Sequence, residues 1–229
     1  MPLELQSVTF ESPDPVLDAQ FWAAVLGRSP IEDAGGILLP GSPRQLGLRF
    51  AAGAAHGNKR NRMHLHLSEA TRNQWETIEA CRAAGGRLRG NGHVPTNSYA
   101  AMADPVDDEF CVIEDGNPYL EGCGPLGELT CAGPPLVGQF WSHALGWPLV
   151  WEQGEETATQ SPAGGTKLAW SGEWSPPAIG ADRQYFVLTV DGEEFDRETD
   201  RLLGLGASSI GGATFRDPDG MQFVLRQQP

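Results

Sequence analysis

The sequence lacks the features that mark several large classes of protein. No apolar run approaches the ~20 residues that a membrane-spanning helix needs. The four cysteines are too few for a disulfide scaffold in a chain of 229 residues. Basic residues number 16 against 30 acidic residues, which gives a formal net charge of −14. This balance argues against nucleic acid and anionic membranes as partners, because both are bound by concentrated positive surfaces.

Targeting segments and short catalytic motifs are also missing. The N-terminal segment MPLELQSVTF has neither the basic flank nor the apolar core of a signal peptide. We therefore expect a cytoplasmic protein with reduced thiols. No glycine-rich dinucleotide fingerprint follows a strand, and no P-loop, GxSxG or HExxH motif occurs. The type of reaction, if there is one, therefore cannot be assigned from a short sequence motif.

The chain contains an internal repeat. The pattern QFWxxxLG at residues 20–27 recurs at residues 139–146. The segment from 104 to 110, which begins Asp-Pro and ends in Phe, is echoed by the segment from 217 to 223. Because the echoes occur in the same order along the chain, they indicate a duplication.

Each half of the repeat is expected to form one domain built from two similar modules. We place the domains at residues 1–118 and 124–229, with a Gly- and Pro-rich linker between them. Residues 3–11 alternate apolar and polar side chains, which predicts a half-buried strand. An Asp-Pro step at 14–15 opens a helix that Gly27 ends. The order strand–helix–strand–strand–strand is predicted four times, with the later helices near residues 70–84, 136–145 and 193–204.

This pattern resembles the vicinal oxygen chelate superfamily of glyoxalases, bleomycin-resistance proteins and extradiol dioxygenases. The resemblance implies an α+β fold in which four βαβββ modules form two glyoxalase-like domains with cup-shaped mixed sheets. It also implies that a small-molecule ligand or a divalent metal occupies a cup. The matching motifs are the Phe-Trp helix of residues 14–27, the segment NRMHLHL at 61–67, the segment 104–111 and DPDGMQF at 217–223.

The resemblance further implies which positions would hold a metal. In the first half these positions carry Ser7, His64 and Cys111. In the second half they carry Leu126, Tyr185 and Val224, which do not form a metal site.

The first-half positions leave three interpretations open. His66 shares a strand face with His64, and Glu109 shares one with Cys111. His64, His66 and Cys111 are therefore candidate ligands for a divalent metal such as Zn, Fe, Mn or Ni, with Glu109 nearby. Alternatively, the imidazoles simply line the cup, and Cys111 is a small apolar wall. In the third interpretation, one histidine activates Cys111 as a nucleophile.

Other residues are candidates for binding an organic ligand. Arg62 belongs to the basic cluster 59–62, which would steer an anionic ligand toward the cup or else pair with nearby acids. Trp151 and Trp170 have no aromatic counterpart in the first half, so they would stack on a flat ligand or pack a sheet face. The predicted ligand-binding set comprises Ser7, Arg62, Glu109, Trp151, Trp170 and Tyr185.

Two functions from different classes follow. A Ser and a Cys at positions 7 and 111, where the superfamily usually has metal ligands, favour a protein that binds a small organic molecule. Such a protein would sequester a drug or metabolite without an obligatory cofactor. The alternative is a metal-dependent lyase, isomerase or dioxygenase that uses the first-half cup, with His64, His66 and Cys111 as catalytic residues. A monomer or a homodimer is compatible with both functions.

Overall fold

The computed structural model describes residues 3–54, 61–90, 98–172 and 183–228. Within them one unit of a strand, a helix and three further strands occurs four times, which confirms the predicted α+β fold of βαβββ modules. Module 1 comprises β1 (Glu4–Ser12), α1 (Pro15–Leu26), β2 (Ile31–Asp33), β3 (Gly36–Leu39) and β4 (Leu48–Ala52). Module 2 comprises β5 (Met63–Leu67), α2 (Gln74–Ala83), β6 (Arg87–Leu88), β7 (Tyr99–Ala103) and β8 (Glu109–Ile113).

The second half of the chain repeats this order. Module 3 comprises β9 (Leu126–Ala132), α3 (Pro135–Leu145), β10 (Leu149–Gln153), β11 (Glu156–Gln160) and β12 (Lys167–Ser171). Module 4 comprises β13 (Gln184–Val190), α4 (Phe195–Gly204), β14 (Ser208–Gly211), β15 (Thr214–Arg216) and β16 (Gln222–Gln227). A short 3₁₀ helix, Pro118–Leu120, lies between modules 2 and 3.

Local signals set the ends of the first two helices. The Asp14 side chain accepts a hydrogen bond from the Leu17 amide at 3.0 Å, and Gly27 ends α1 in the left-handed conformation. Helix α2 begins later than predicted because Asn73 and Glu76 form a capping box at its first turn. None of the helices in the described part of the chain is both long and apolar enough to cross a membrane.

The modules pair across the two halves of the repeat. Sheet I has the strand order β14-β15-β16-β13-β1-β4-β3-β2, so it joins module 4 to module 1. Sheet II has the order β10-β11-β12-β9-β5-β8-β7-β6, so it joins module 3 to module 2. The two seams are the antiparallel pairs β1–β13 and β5–β9. Each sheet therefore forms its concave face, the cup, with one module from each half.

The opposite faces of the sheets pack on the helices and form a core that spans both sheets. The predicted helix residues Trp22 and Trp141 lie in this core. Each donates a hydrogen bond from its indole nitrogen to the aspartate of an Asp-Pro turn, Trp22 to Asp104 at 3.3 Å and Trp141 to Asp217 at 3.0 Å. The same bond in both halves links the helix of one module to the last strands of the next module.

The core of the first half also contains a cluster of buried carboxyl groups. Asp18, Asp104 and Asp108 lie with one oxygen of each within 4.8 Å of the others. The repeat has Val137 at the position of Asp18, two residues before the QFW pattern. Burial, together with repulsion from Asp104, raises the pKa of Asp18 from 3.8 to about 9. Asp18 is therefore protonated at neutral pH in the folded protein.

We predict that Asp18→Asn stabilises the protein more at pH 8 than at pH 5. The pKa of Asp18 is higher in the folded protein than in the unfolded chain, so its contribution to stability is present at low pH. That contribution is lost as the pH rises toward about 9. Urea unfolding of the variant and the parent at both pH values measures the difference. Asp200→Asn, at an exposed site on α4, is the matched control, and an equal pH dependence in both variants would contradict the prediction.

The contact between modules 1 and 3 depends on a glycine. The Thr166 amide donates a hydrogen bond to the Arg44 carbonyl at 2.8 Å. Gly165, which precedes it, has a φ of +94°, and a Cβ on this residue would lie 1.6 Å from the Arg44 carbonyl oxygen. Any side chain at position 165 would therefore force the two loops apart.

Gly165→Ala is expected to lower the free energy of unfolding by about 3 kcal/mol or more, because backbone strain and a backbone clash add together. Gly154→Ala is the control, since Gly154 also has a positive φ but no neighbour within 4 Å of the added Cβ. The control should lose only about 1–2 kcal/mol in the same urea titration. Equal losses in the two variants would show that the Arg44 contact does not matter.

Candidate functional site

The cup of sheet II carries the predicted histidines. Strand β5 alternates strictly: Met63, Leu65 and Leu67 are buried toward the helices, while His64 and His66 are half-buried and face the cup. This alternation follows directly from the sequence MHLHL. The strand thereby presents two imidazoles side by side on its concave face.

Strand pairing then sets the neighbours of the histidines. In the antiparallel pair β5–β9, His66 lies opposite Glu128 and His64 lies opposite Thr130. In the parallel pair β5–β8, Cys111 lies beside His66. The site is consequently built from modules 2 and 3, with contributions from both halves of the chain.

Glu128 holds His66 in a defined orientation. Its Oε2 atom lies 2.7 Å from His66 Nδ1, so the Nδ1–H group of the imidazole donates a hydrogen bond to the carboxylate. Thr130 donates a hydrogen bond to the same oxygen at 2.8 Å, and the Tyr119 hydroxyl donates one to Oε1 at 2.6 Å. Burial would raise the pKa of Glu128, but the bonds from His66, Tyr119 and Thr130 outweigh it and leave that pKa below its usual value. The carboxylate is therefore ionised.

The remaining nitrogen of His66 faces the second imidazole. His66 Nε2 lies 2.9 Å from His64 Nε2. When His66 is the neutral tautomer whose Nδ1–H group donates a hydrogen bond to Glu128, its Nε2 carries a lone pair, and His64 is the donor of this bond. Burial and the neighbouring His66 lower the pKa of His64 to about 4, although Glu128 acts in the opposite direction. His64 is therefore neutral at physiological pH.

Cys111 completes the group. Its Sγ and the two ring nitrogens all lie within 4.8 Å of one another. Burial, reinforced by the negative charges of Glu109 and Glu128, raises the pKa of the Cys111 thiol to about 12. At neutral pH the thiol is therefore protonated, which argues against the interpretation of Cys111 as an activated nucleophile.

The side chains of His64, His66 and Cys111 are of the chemical types that bind a divalent metal. Two neutral imidazoles and a sulfur are ligands that Zn²⁺ and related ions accept. Two nitrogens bound to one tetrahedral Zn²⁺ lie about 3.3 Å apart, only slightly more than the 2.9 Å between the Nε2 atoms of His64 and His66. A coordinated thiol is deprotonated by the ion itself, so its high pKa is no obstacle. Glu128 occupies the place of the outer carboxylate that orients a metal-binding histidine.

An aromatic wall stands beside these groups. Trp151 on β10 lies on the cup face, and its ring meets that of Tyr119 edge-on, with centroids 5.3 Å apart. The Lys167 ammonium lies 3.9 Å from the centre of the Tyr119 ring. Trp151 is half-buried, and its indole nitrogen has no hydrogen-bond partner among the described residues. This wall has the mixed apolar and polar character of an organic ligand site.

Several predicted residues lie elsewhere. The assignment of Trp170 to the ligand site was wrong: it is fully buried on the helix-bearing face of sheet II, where it stacks on Trp141. Arg62 lies in an ion pair with Asp219 at 2.6 Å, which agrees with the structural interpretation of this arginine. Lys59 and Arg60 of the same cluster lie outside the described residues. Glu109 is an exposed residue of β8, 3.5 Å from Arg89.

Ser7 and Tyr185 belong to the other cup. The prediction that Ser7 joins His64 and Cys111 in a first-half cup was wrong, because β1 pairs with β13 and therefore lies in sheet I. Tyr185 and Val224 lie in the same sheet, on β13 and β16. Among the described residues, the groups of potential metal ligands lie in sheet II and beside α1, and none includes a residue of the sheet I cup.

Sequence reasoning missed Glu128 and Tyr119. It assigned the third-module position to Leu126, two residues before Glu128, and Leu126 is fully buried opposite Leu67. A signal was present, since Glu128 and Thr130 are polar residues at alternate positions of an otherwise apolar strand. No comparable signal marks Tyr119, which lies in the short 3₁₀ helix.

Four βαβββ modules in two cupped sheets, one of which carries paired histidines and a thiol, define a protein of the vicinal oxygen chelate superfamily. The chain belongs to the glyoxalase-like domain family, whose model matches residues 7–113 and again residues 128–226. The two matches confirm the duplication inferred from the repeated motifs. Comparison with curated proteins gives no significant match.

Solved structures show the same fold at low sequence identity. Glyoxalase I from Zea mays is 14% identical, with a TM-score of 0.65 over 97% of this chain and 92% of the maize chain. A putative dioxygenase from Bacillus subtilis is 15% identical, with a TM-score of 0.63 over 98% of this chain and 85% of the other. These similarities establish the architecture over nearly the whole chain.

Glu128→Gln should lower the affinity of the site for Zn²⁺ by about 10–100-fold, because the amide no longer supplies the negative charge that orients and polarises His66. Competition with a chromophoric chelator measures the affinity. Glu109→Gln, which removes the same charge from an exposed position on the neighbouring strand β8, should have a much smaller effect. A similar loss in both variants would mean that only the general electrostatic field is involved.

Proposed function

We propose that this protein is a divalent-metal-dependent enzyme that acts on a small oxygen-bearing organic substrate in the cup of sheet II. His64, His66 and Cys111 would hold the metal. The observation that carries the proposal is the hydrogen bond between His66 Nδ1 and Glu128, which directs Nε2 at the other two groups and, in the neutral tautomer, leaves it free to bind an ion. A histidine that only lined a cup would not need an ionised carboxylate anchored by two further donors.

A metal at this position would supply Lewis-acid stabilisation of negative charge on a substrate oxygen, the chemistry on which a lyase or isomerase would depend. The chain's own residues have other tasks. Glu128 fixes the orientation of His66, and its buried position excludes water from behind the imidazole. Trp151 and Tyr119 would pack against the apolar part of the substrate.

Binding without a metal is the second candidate, and one observation favours it. The imidazoles of His64 and His66 satisfy each other directly through the 2.9 Å hydrogen bond, so the group is stable without an ion. In that case the cup would sequester a small organic molecule against the Trp151 wall. Each cup is complete within one chain, so a monomer suffices for either function.

Elemental analysis of protein purified without a His tag or chelating resin separates the two candidates. We expect close to one equivalent of Zn, Fe, Mn or Ni per chain, lost in His64→Ala and His66→Ala. Ser7→Ala, a change in the other cup, is the control and should retain the metal. Protein that stays free of metal after incubation with each ion under reducing conditions would contradict the proposal and favour the binding protein.

A screen of isomerase and dioxygenase substrates with the metal-loaded protein tests the enzyme itself. Turnover should fall by at least about 100-fold in His66→Ala, in proportion to metal loss. Turnover that persists in a variant without metal would show that the chemistry does not depend on the ion.

A further inference from the structure

The cup of sheet I carries a different chemistry from the cup of sheet II. In sheet I, Arg49 on β4 lies opposite Thr9 on β1. The equivalent strand pair of sheet II is β8 with β5, in which Cys111 lies opposite His66. Arg226 on β16 lies opposite Thr189 and faces the same cup. Imidazole and thiol groups in one cup are thus replaced by guanidinium groups in the other.

These two arginines line a cavity of about 420 Å³, large enough for a small metabolite. Both guanidinium groups lie next to Gly35. Their Nη1 atoms lie 2.9 Å and 3.2 Å from the position that a Cβ on Gly35 would occupy. The backbone of Gly35 does not require glycine, because its φ lies outside the left-handed region. The absence of a side chain instead leaves space next to the two guanidinium groups. The other lining residues are Glu4, Gln6, Asp33, Thr189, Gln227 and Gln228.

The cavity contains polar groups without partners. Arg49 is only 2% exposed, and its Nε atom has no hydrogen-bond partner among the described residues. Gln6, which also lines the cavity, has a buried side-chain oxygen without a hydrogen-bond partner among the described residues. Buried polar groups in native proteins are normally satisfied, so these groups point to a bound polar ligand.

The charges indicate the class of ligand. Asp33 pairs with Arg49 through two hydrogen bonds, the longer of them 2.9 Å. Glu4 accepts a hydrogen bond from Gln228 at 3.3 Å. No direct ion pair joins Arg226 to another described residue, although the nearby Asp33 carboxylate interacts with its charge, so the hydrogen-bond donors of Arg226 remain for an external anion. A planar guanidinium recognises a carboxylate through two parallel hydrogen bonds.

We propose that the cup of sheet I is a second ligand site, which binds a small organic acid through its carboxylate to Arg226, with Arg49 and Gln6 completing the polar contacts. The site is independent of the metal centre in sheet II, since none of its lining residues belongs to modules 2 or 3. A single chain would then bind two ligands of different chemistry, one in each cup.

Calorimetric titration with succinate at constant ionic strength tests the proposal, with succinamide as the uncharged analogue and inorganic phosphate as the non-carboxylate anion. We expect saturable binding of succinate, no binding of succinamide and weaker binding of phosphate. Arg226→Gln should weaken succinate binding by at least about tenfold. The affinity of Arg226→Lys should lie between those of Arg226→Gln and the parent protein.

Two further variants distinguish a built site from general charge effects. Arg216→Gln removes the same charge from the same sheet outside the cavity and should change succinate affinity by less than about twofold. Gly35→Ala leaves the charge unchanged but fills the space at the two guanidinium groups, so it should weaken binding. Equal losses in Arg216→Gln and Arg226→Gln, undiminished binding in Gly35→Ala, or phosphate binding as tight as that of succinate would each overturn the proposal.

Discussion

The antiparallel pairing of β5 with β9 is the constraint on which the candidate site depends. Its register places His66 opposite Glu128 and His64 opposite Thr130. A slip of one residue would turn the imidazoles toward the helices and leave the carboxylate buried without a donor. The bulge at Gly127 sets this register, and a Cβ there would lie 2.3 Å from the Ser68 hydroxyl. Glycine at this position therefore permits the close approach of the strands that builds the site.

The two sheets show which parts of a duplicated chain are free to change. On the helix-bearing side both halves retain the same bond from a tryptophan to the aspartate of an Asp-Pro turn. On the cup side the two sheets differ, with imidazoles in sheet II and guanidiniums in sheet I. Packing constrains the residues on the helix-bearing side, because a change in side-chain volume or the loss of a buried hydrogen-bond partner lowers the stability of the fold. With the proposed ligands, the cup side chains would be constrained by ligand binding instead, and the two cups carry different chemical groups.

Much of this arrangement could be predicted from local sequence. The repeated QFWxxxLG pattern gave the duplication, and the alternation in MHLHL gave the shared face of His64 and His66. The pairing of modules could not be predicted, because strands that are far apart along the chain carry no local signal of their partner. Glu128 was missed because the bulge shifts the face of β9 by one residue. Trp170 was assigned to the wrong face because an aromatic strand residue suits a core and a cup equally well.

The central claim is that His64, His66 and Cys111 bind one metal ion. The most direct test is the optical spectrum of the protein loaded with Co²⁺ under reducing conditions, because a bound thiolate adds a charge-transfer band in the near ultraviolet. The account predicts this band together with strong visible bands from a site of low coordination number. Cys111→Ser should lose the near-ultraviolet band. A weak spectrum like that of hydrated Co²⁺, identical in parent and variant, would contradict the account.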